Sequence, residues 1–467
     1  MILARYLALL LPAAAVLAAA ATARQKPAAA GRGAKGAAGR GAKGAAGRGA
    51  AGQGAAGQGA AGQGADVAAG QGTDDAVGRE KSGAALAFIA AAVGIAVLDE
   101  INPGWYTFAQ VDGSFRGMPV DLWLGWAALW GPLPVLLHRW LPLPITLGLL
   151  FWLDLIAMPA LDPLVHLGQH WWLGDLFGLA TVALPAQLLG RWTATRRHLF
   201  ARVGLQIAVF AGLILWLLPT AIFTLGDGSW AHLGSLPGPA LSALAQVAAA
   251  VAVPALAAVR ELAVRGAGTP FPWDPPRRLV TTGPYAYVAN PMQLSAVLLL
   301  ALLAVVTRSP ALAVVVAATV VFLVGTAAPH ERDDLRERHG ERWVDYRRQV
   351  RDWWPRRRPY ATVEARLWLD DDCGPCAATR DFVALRAPVR LTIVSAATYP
   401  TPLWRARYAA DDGYSASGVA AVASAFDHLG LLWAYVGWIL NFPIVNRLAQ
   451  LIVDAQIAPP HPAGGVR

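Results

Sequence analysis

Eight apolar runs alternate with polar loops along this chain, at about 83–101, 118–137, 142–160, 171–190, 201–225, 238–259, 292–307 and 309–329. They approach the roughly 20 apolar residues needed to cross a bilayer core of about 30 Å. Lipid does not tolerate unpaired backbone, so every run is predicted to be helical. The last two are joined only by Arg308-Ser309-Pro310 and are expected as a helical hairpin. Beyond Pro329 the pattern changes. Residues 330–354 are densely charged, and Trp343, Tyr346, Val350 and Trp353 recur at three- and four-residue spacing. That spacing predicts one amphipathic helix whose aromatic stripe faces the membrane surface or the preceding bundle. After Arg356-Arg357-Arg358-Pro359 the period shortens. Ala365–Leu369 reads as a strand, followed by a cysteine-containing turn, a helix near 376–386, a strand at 389–394 and further helical segments.

Composition agrees with the runs. Of 467 residues 56% are hydrophobic and only 15% charged, and 19 are Trp, a balance that excludes an ordinary soluble globular protein. The net charge of +9 is localised, which argues against a nucleic-acid partner. Arg191, Arg196, Arg197 and Arg202 crowd one loop, and Arg260, Arg265, Arg277 and Arg278 the loop two crossings on. The intervening residues 226–237 contain no Lys or Arg. The positive-inside rule places both basic loops, and everything after 329, in the cytoplasm, as for a bacterial-type inner membrane protein.

The N-terminus carries two opposed signals. Arg5, an apolar stretch and Ala21-Thr22-Ala23 have the form of a cleaved secretory signal. The seven Lys or Arg from Arg24 to Arg48 instead favour a reverse-oriented anchor or a start codon assigned too far upstream. Residues 31–65 repeat Gly-Arg-Gly-Ala-Lys-Gly-Ala-Ala and then Ala-Gly-Gln-Gly-Ala, with almost nothing able to offset the entropy of folding, so a disordered tail is expected. A polybasic tether to anionic lipid is the functional alternative. Among polar groups near the membrane runs, Asp121, His166, His170 and Asp175 fall at helix ends, where solvation explains them. Asp154 lies inside its run and is the candidate for a buried role.

The stretch between two apolar runs, Arg277 to Met292, is dense in Pro, Gly and Tyr, and His330-Glu331-Arg332-Asp333-Asp334-Leu335 answers it one hairpin later. Gly266-Ala267-Gly268-Thr269-Pro270, Asp274-Pro275-Pro276-Arg277-Arg278-Leu279-Val280, Gly283-Pro284-Tyr285, Asn290-Pro291-Met292, then Glu331, Leu335, Gly340, Tyr346 and Trp354-Pro355-Arg356 together resemble the isoprenylcysteine carboxyl methyltransferase family and its phospholipid methyltransferase relatives, over about 240–358. The resemblance implies methyl transfer from S-adenosyl-L-methionine to an amphiphilic or lipidic acceptor, with the cofactor held between the Gly-Pro-Tyr loop and the Glu-bearing helix. Such a displacement needs alignment more than acid–base chemistry. It assigns cofactor contacts to Gly283, Pro284, Tyr285, Tyr287, Asn290, Pro291, Gln293, Glu331 and Tyr346, with Asn290 and Glu331 closest to catalysis. Tyr285 and Tyr287 suit the sulfonium or adenine. The bland alternatives are an aromatic belt for the tyrosines and a surface salt bridge for Glu331. Three positions depart from the family pattern. Ala289 stands where an Arg is usual, Gln293 where a Tyr is, and Ser295 where a Gly is. Losing that guanidinium weakens the case for a prenylcysteine carboxylate as acceptor.

Both cysteines of the chain lie in Cys373-Gly374-Pro375-Cys376. Strand, CxxC, helix, strand suggests a small thioredoxin-like α/β domain. With Asp370-Asp371-Asp372 before it, and Gly418-Val419-Ala420-Ala421 and Phe442-Pro443 after it, the stretch resembles thiol–disulfide oxidoreductases of the Asp-Cys-x-x-Cys type over about 365–458. Cys373 would be the exposed attacking thiol and Cys376 the buried resolving one, with a thiol or disulfide partner. The aspartates oppose the thiolate. A structural turn is the alternative, and a metal would need ligands beyond His428 and His461.

The expected fold is thus a polytopic α-helical membrane protein of about eight transmembrane helices with a C-terminal thioredoxin-like cytoplasmic domain. Its expected parts are an N-terminal segment at 1–82, N-terminal helices at 83–237, a methyltransferase core at 238–358 and the CxxC domain at 365–458. Three rivals are phospholipid N-methylation, a membrane-anchored redox protein with an inactive methyltransferase fold, and a transporter. The last is disfavoured by the lack of repeated charged pairs in the helices.

Overall fold

The computed structural model describes residues 2–37, 58–271 and 274–463. Among these, seven helices are long and apolar enough to cross a membrane: Leu3–Thr22, Ala76–Glu100, Leu143–Ala160, Trp171–Thr195, Leu199–Leu225, Gly238–Val264 and Pro310–His339. The protein is an integral membrane protein. Residues 31–37 and 58–82, read from sequence as tail, belong to helices Ile2–Ala37 and Gln58–Glu100, and residues 38–57 lie outside the described residues.

Two of the eight expected spans are shorter than hydropathy suggested. The run at 118–137 is two helices, Val120–Trp130 and Pro132–Leu136. Pro132 and Pro134 cannot continue the hydrogen-bond ladder. At Gly131 a Cβ would stand 2.5 Å from the carbonyl oxygen of Ala87, so this contact requires glycine. The run at 292–307 is a helix of 16 residues, Pro291–Val306, about 24 Å long.

The chain forms two compact units, Met1–Leu213 and Ile214–Arg467. In the first, Asp154 is buried and accepts the indole N–H of Trp130 at 3.1 Å. Asp175, expected to be solvated at a helix end, is also buried and accepts the Tyr106 hydroxyl at 2.9 Å. Tyr106 lies on a strand, Tyr106–Phe108, that pairs with Val165–Leu167 and folds the loops inward over that carboxylate. Asp121 pairs with Arg5, and His166 and His170 are exposed.

The second unit holds the candidate site. Helix α1 (Gly238–Val264) leads into the Gly-Pro-Tyr loop, α2 (Pro291–Val306) and α3 (Pro310–His339), which make the expected hairpin. Ser309 caps α3 by accepting the Leu312 amide and donating to Asp227. The expected single amphipathic helix over 330–354 is instead two pieces. Residues 330–339 continue α3, because a π turn at Leu323–Ala327 carries the helix through Pro329. Gly340, at φ +57°, then breaks the chain before α4 (Glu341–Gln349). The aromatic stripe packs inward, with Tyr346 and Val350 against Ala289 and Tyr360.

Beyond it, β1 (Ala365–Leu369), α5 (Gly374–Ala384), β2 (Leu391–Ser395), β3 (Arg407–Ala410) and β4 (Ser415–Ser417) build a four-stranded sheet of order β2-β1-β3-β4. β1 is parallel to β2 and antiparallel to β3, and β3 is antiparallel to β4. Ala365, Leu367 and Leu369 alternate onto one face and bury against Val383 and Tyr408. His428 lies in this core, bonded to the Tyr408 hydroxyl and the Val389 carbonyl. Three helices follow, α6 (Val419–Phe426), α7 (Leu431–Leu440) and α8 (Pro443–Ile457). The two segments read from sequence as separate domains pack as one body: Ala434 and Trp438 of α7 bury against Val253 and Ala257 of α1 and against Tyr287.

Candidate functional site

Glu261, near the end of α1, anchors the loop. It is buried, accepts the Thr282 hydroxyl at 2.9 Å and Arg260 Nη1 at 3.1 Å, and is ion-paired with Arg265, whose Nε stands 3.0 Å away. Gly283 sits directly over it at φ +57°, where a Cβ would approach Glu261 Cγ to 2.5 Å. Only glycine fits there, and the chain then makes the 3-10 turn Gly283–Ala286 with Pro284 at its start. Arg265 continues the network to Asp412, and Arg260 donates to the Tyr414 hydroxyl at 3.0 Å, tying the loop base to the β3–β4 turn. In the sequence Arg260 and Arg265 serve only as orientation signals, and Glu261 belongs to none of the motifs. A carboxylate four residues before an Arg at the end of an apolar helix was the available signal.

The tyrosines are packed inside the unit. Tyr285 is buried among Ala258, Leu262 and Val280, and its carbonyl accepts the Tyr346 hydroxyl at 2.8 Å. Burial, reinforced by Tyr346, Glu331 and Glu261 nearby, holds the Tyr285 phenol well above its usual range. Tyr287 is wholly buried, edge-on to Trp438, with its hydroxyl donated to the Asp427 carbonyl at 3.0 Å. The sequence reading sets Tyr287 against the cofactor. In the structure α7 covers the ring. Tyr346, also assigned to the cofactor, is buried and holds the loop backbone instead.

The polar residues around Asn290 are arranged differently. Asn290 Nδ2 donates to Asp352 Oδ1 at 3.1 Å, and Asp352 also receives Arg332 and Arg347, each at 2.7 Å. The Ala289 amide donates to the Arg351 carbonyl at 2.9 Å, so the segment after α4 is laced to the loop just before α2. Asp352 is thus saturated, and it was missed although the family pattern was read through Trp354-Pro355-Arg356 beside it. Glu331, adjacent to Arg332, is exposed and enters no hydrogen bond or ion pair among the described residues. Pro291 is buried at the start of α2, and Gln293 is half-buried two residues on. The structure therefore gathers Asn290, Arg332 and Arg347 on Asp352, with Glu331 near the same groups, and Tyr346 holds the Tyr285 backbone beside them.

Residues 243–342 match the phospholipid methyltransferase family model. The matched segment takes in α1, the Gly-Pro-Tyr loop, α2, α3 and the Asn290 and Glu331 side chains, and ends before Tyr346 and Asp352. The match covers less than a quarter of the chain and, for that segment, supports an integral membrane methyltransferase of the phospholipid or isoprenylcysteine type. No curated protein and no solved structure matches the chain.

The CxxC turn sits elsewhere in the same unit. Cys373 caps α5, its Sγ accepting the Cys376 amide at 3.4 Å. By whole-residue exposure the expected order is reversed, with Cys373 buried and Cys376 half-buried. Both line a cavity of about 320 Å³. Burial and the hydrogen bond with Cys373 push the Cys376 thiol up to about 12. Two of the three aspartates have partners. Asp371 binds Arg380 and Ser395, and Asp370 accepts His461 Nε2 at 2.7 Å.

Proposed function

We propose that this protein transfers a methyl group from S-adenosyl-L-methionine to an amphiphilic acceptor that reaches the cluster from the bilayer. The observation that carries the reading is the Glu331 carboxylate, which lies in the family-matched segment, makes no hydrogen bond or ion pair among the described residues, and stands near Asp352, Arg332 and Arg347 of the Asn290 network. The cofactor supplies an electrophilic methyl group on a sulfonium. Its amino group and ribose hydroxyls suit a carboxylate, and the Asn290 side-chain oxygen and the Gln293 amide, which bond no other described residue, are available for further contacts. The first turn of α2 favours an anionic group such as a carboxylate. In-line displacement then needs little from the protein beyond alignment, which the locked Gly283–Ala286 turn supports. Purified protein is expected to bind S-adenosylmethionine saturably and to lose it to S-adenosylhomocysteine. Calorimetry showing no binding would count against the reading.

Orientation follows the arginines, with the loop 265–290 and the residues after 340 on the cytoplasmic side. In a Cys373→Ser, Cys376→Ser background, a cysteine introduced by Ser235→Cys should react with a membrane-impermeant maleimide on intact cells. Reaction only after permeabilisation would reverse the topology.

A second reading concerns Cys373 and Cys376. The order β2-β1-β3-β4, with CxxC at the start of the helix joining the parallel strands, supports a thioredoxin-like thiol–disulfide module. Cys373, receiving an amide at a helix N-terminus, serves as nucleophile, and Cys376 keeps its proton until it resolves. At pH 8 the reduced protein should therefore be alkylated by iodoacetamide at Cys373 well before Cys376, as peptide mass mapping would show. Equal rates would remove the asymmetry on which this assignment rests.

A further inference from the structure

The helix that walls the CxxC cavity has two apolar faces, and among the described residues only one of them has a partner. From α8, Ala449, Val453 and Ile457 line the cavity with Gln450. On a helix these positions lie roughly opposite Ile444, Leu448, Leu451 and Ile452, which are 75%, 56%, 65% and 55% exposed. An unpartnered stripe of that kind on a soluble surface would be an aggregation hazard. Here the preceding helix says what covers it. α7 lies along the spanning helix α1, its Tyr435 hydroxyl donating to the Ala250 carbonyl at 2.6 Å. Ala250 is roughly 20 Å from the α1 end at Val264, so α7 runs against the spanning helix well inside its length. α8 then departs from α7 at 87°. A helix that leaves a membrane-embedded neighbour at a right angle, with one side apolar and exposed, has the form of an in-plane interfacial helix.

We propose that α8 lies in the membrane interface with its outer face in lipid, and that the Cys373–Cys376 site takes its substrate, a lipophilic disulfide, from the bilayer. This rests on the redox reading given above. The cavity behind α8 is lined largely by Leu369, Leu403, Val419, Val422, Val453 and Ile457. Its volume suits the hydrocarbon part of a small ligand. Polar groups gather at the rim, where Arg405 pairs with Asp454 and His461 with Asp370. The reaction balances without another component. The Cys373 thiolate attacks one sulfur of R–S–S–R, that bond breaks, and RS⁻ leaves and is protonated. Cys376 then loses its proton and attacks the Cys373 sulfur, expelling the second RS⁻. Two electrons and two protons pass to the ligand, giving two RSH and the Cys373–Cys376 disulfide.

The test uses reduced full-length protein in phosphatidylglycerol–phosphatidylcholine vesicles. It is exposed to equal amounts of dioctyl disulfide, which partitions into the bilayer, or hydroxyethyl disulfide, which stays in water. Unreacted thiols are trapped with N-ethylmaleimide and counted by intact mass. Dioctyl disulfide is expected to oxidise the pair at least about tenfold faster. The triple variant Ile444→Asp, Leu448→Asp, Leu451→Asp should lose that advantage while reacting normally with hydroxyethyl disulfide, which also reports that the site is still folded. Val453→Trp, which fills the cavity, should slow the lipophilic reagent alone. Equal rates in the wild type, or an advantage that survives the triple variant, would overturn the proposal. So would diamide closing the disulfide when neither reagent does. If diamide fails as well, the redox reading falls first.

Discussion

Glu331→Ala lowers the affinity for S-adenosylmethionine by about 10- to 100-fold, the loss expected when a charged hydrogen-bond partner of the ligand is removed. The protein remains folded and inserted. The side chain is exposed and bonds no described residue, so its removal opens no cavity and orphans no cation. Arg332 and Arg347 keep Asp352 as their partner. Glu331→Gln, which keeps a hydrogen-bonding group without the charge, should fall between. Calorimetric titration of the three proteins checks this, and equal affinities would remove Glu331 from the site.

Glu261→Ala acts through the fold. It leaves Arg265, only 7% exposed in its side chain, and the partly buried Arg260 without their shared carboxylate, and strips the Thr282 hydroxyl of its acceptor. Breaking a buried pair from one side costs about 3–5 kcal/mol. Arg265 retains Asp412, so the lower end of that range is expected. The Gly-Pro-Tyr turn rests on this side chain, so cofactor binding should weaken along with thermal stability. Glu261→Gln keeps an acceptor oxygen and should recover part of both. A Glu261→Ala protein with unchanged melting temperature in detergent would show that the network does not hold the loop.

Hydropathy made most helices legible, because the bilayer imposes a length and a composition on each span. It misjudged 118–137 because a hydropathy window carries no backbone term, although Gly131-Pro132-Leu133-Pro134 announces the break. It also divided 309–329 from the charged residues after it, where the helix runs on to His339. The position of the candidate loop was legible from its Pro, Gly and Tyr content, and Gly283 from the turn it makes. The partners were not. Asp352 meets Asn290 across 62 positions, and Asp427 meets Tyr287 across 140. No local period records which distant residues face each other. An exposed tyrosine awaiting a ligand and one awaiting another helix look alike in sequence, and α7 decides the case for Tyr287.

The central claim is methyl transfer to an amphiphile at the Asn290–Glu331 cluster. The most direct measurement incubates membranes containing the wild type or Glu331→Ala with methyl-labelled S-adenosylmethionine, then separates lipid, small-molecule and protein fractions and treats the labelled product with base. The account predicts label in the lipid-extractable fraction for the wild type and at most about a tenth as much for the variant at limiting cofactor, with base release marking a methyl ester and base resistance an N-methyl headgroup. Label absent from every fraction of the wild type, with cofactor bound, would contradict it.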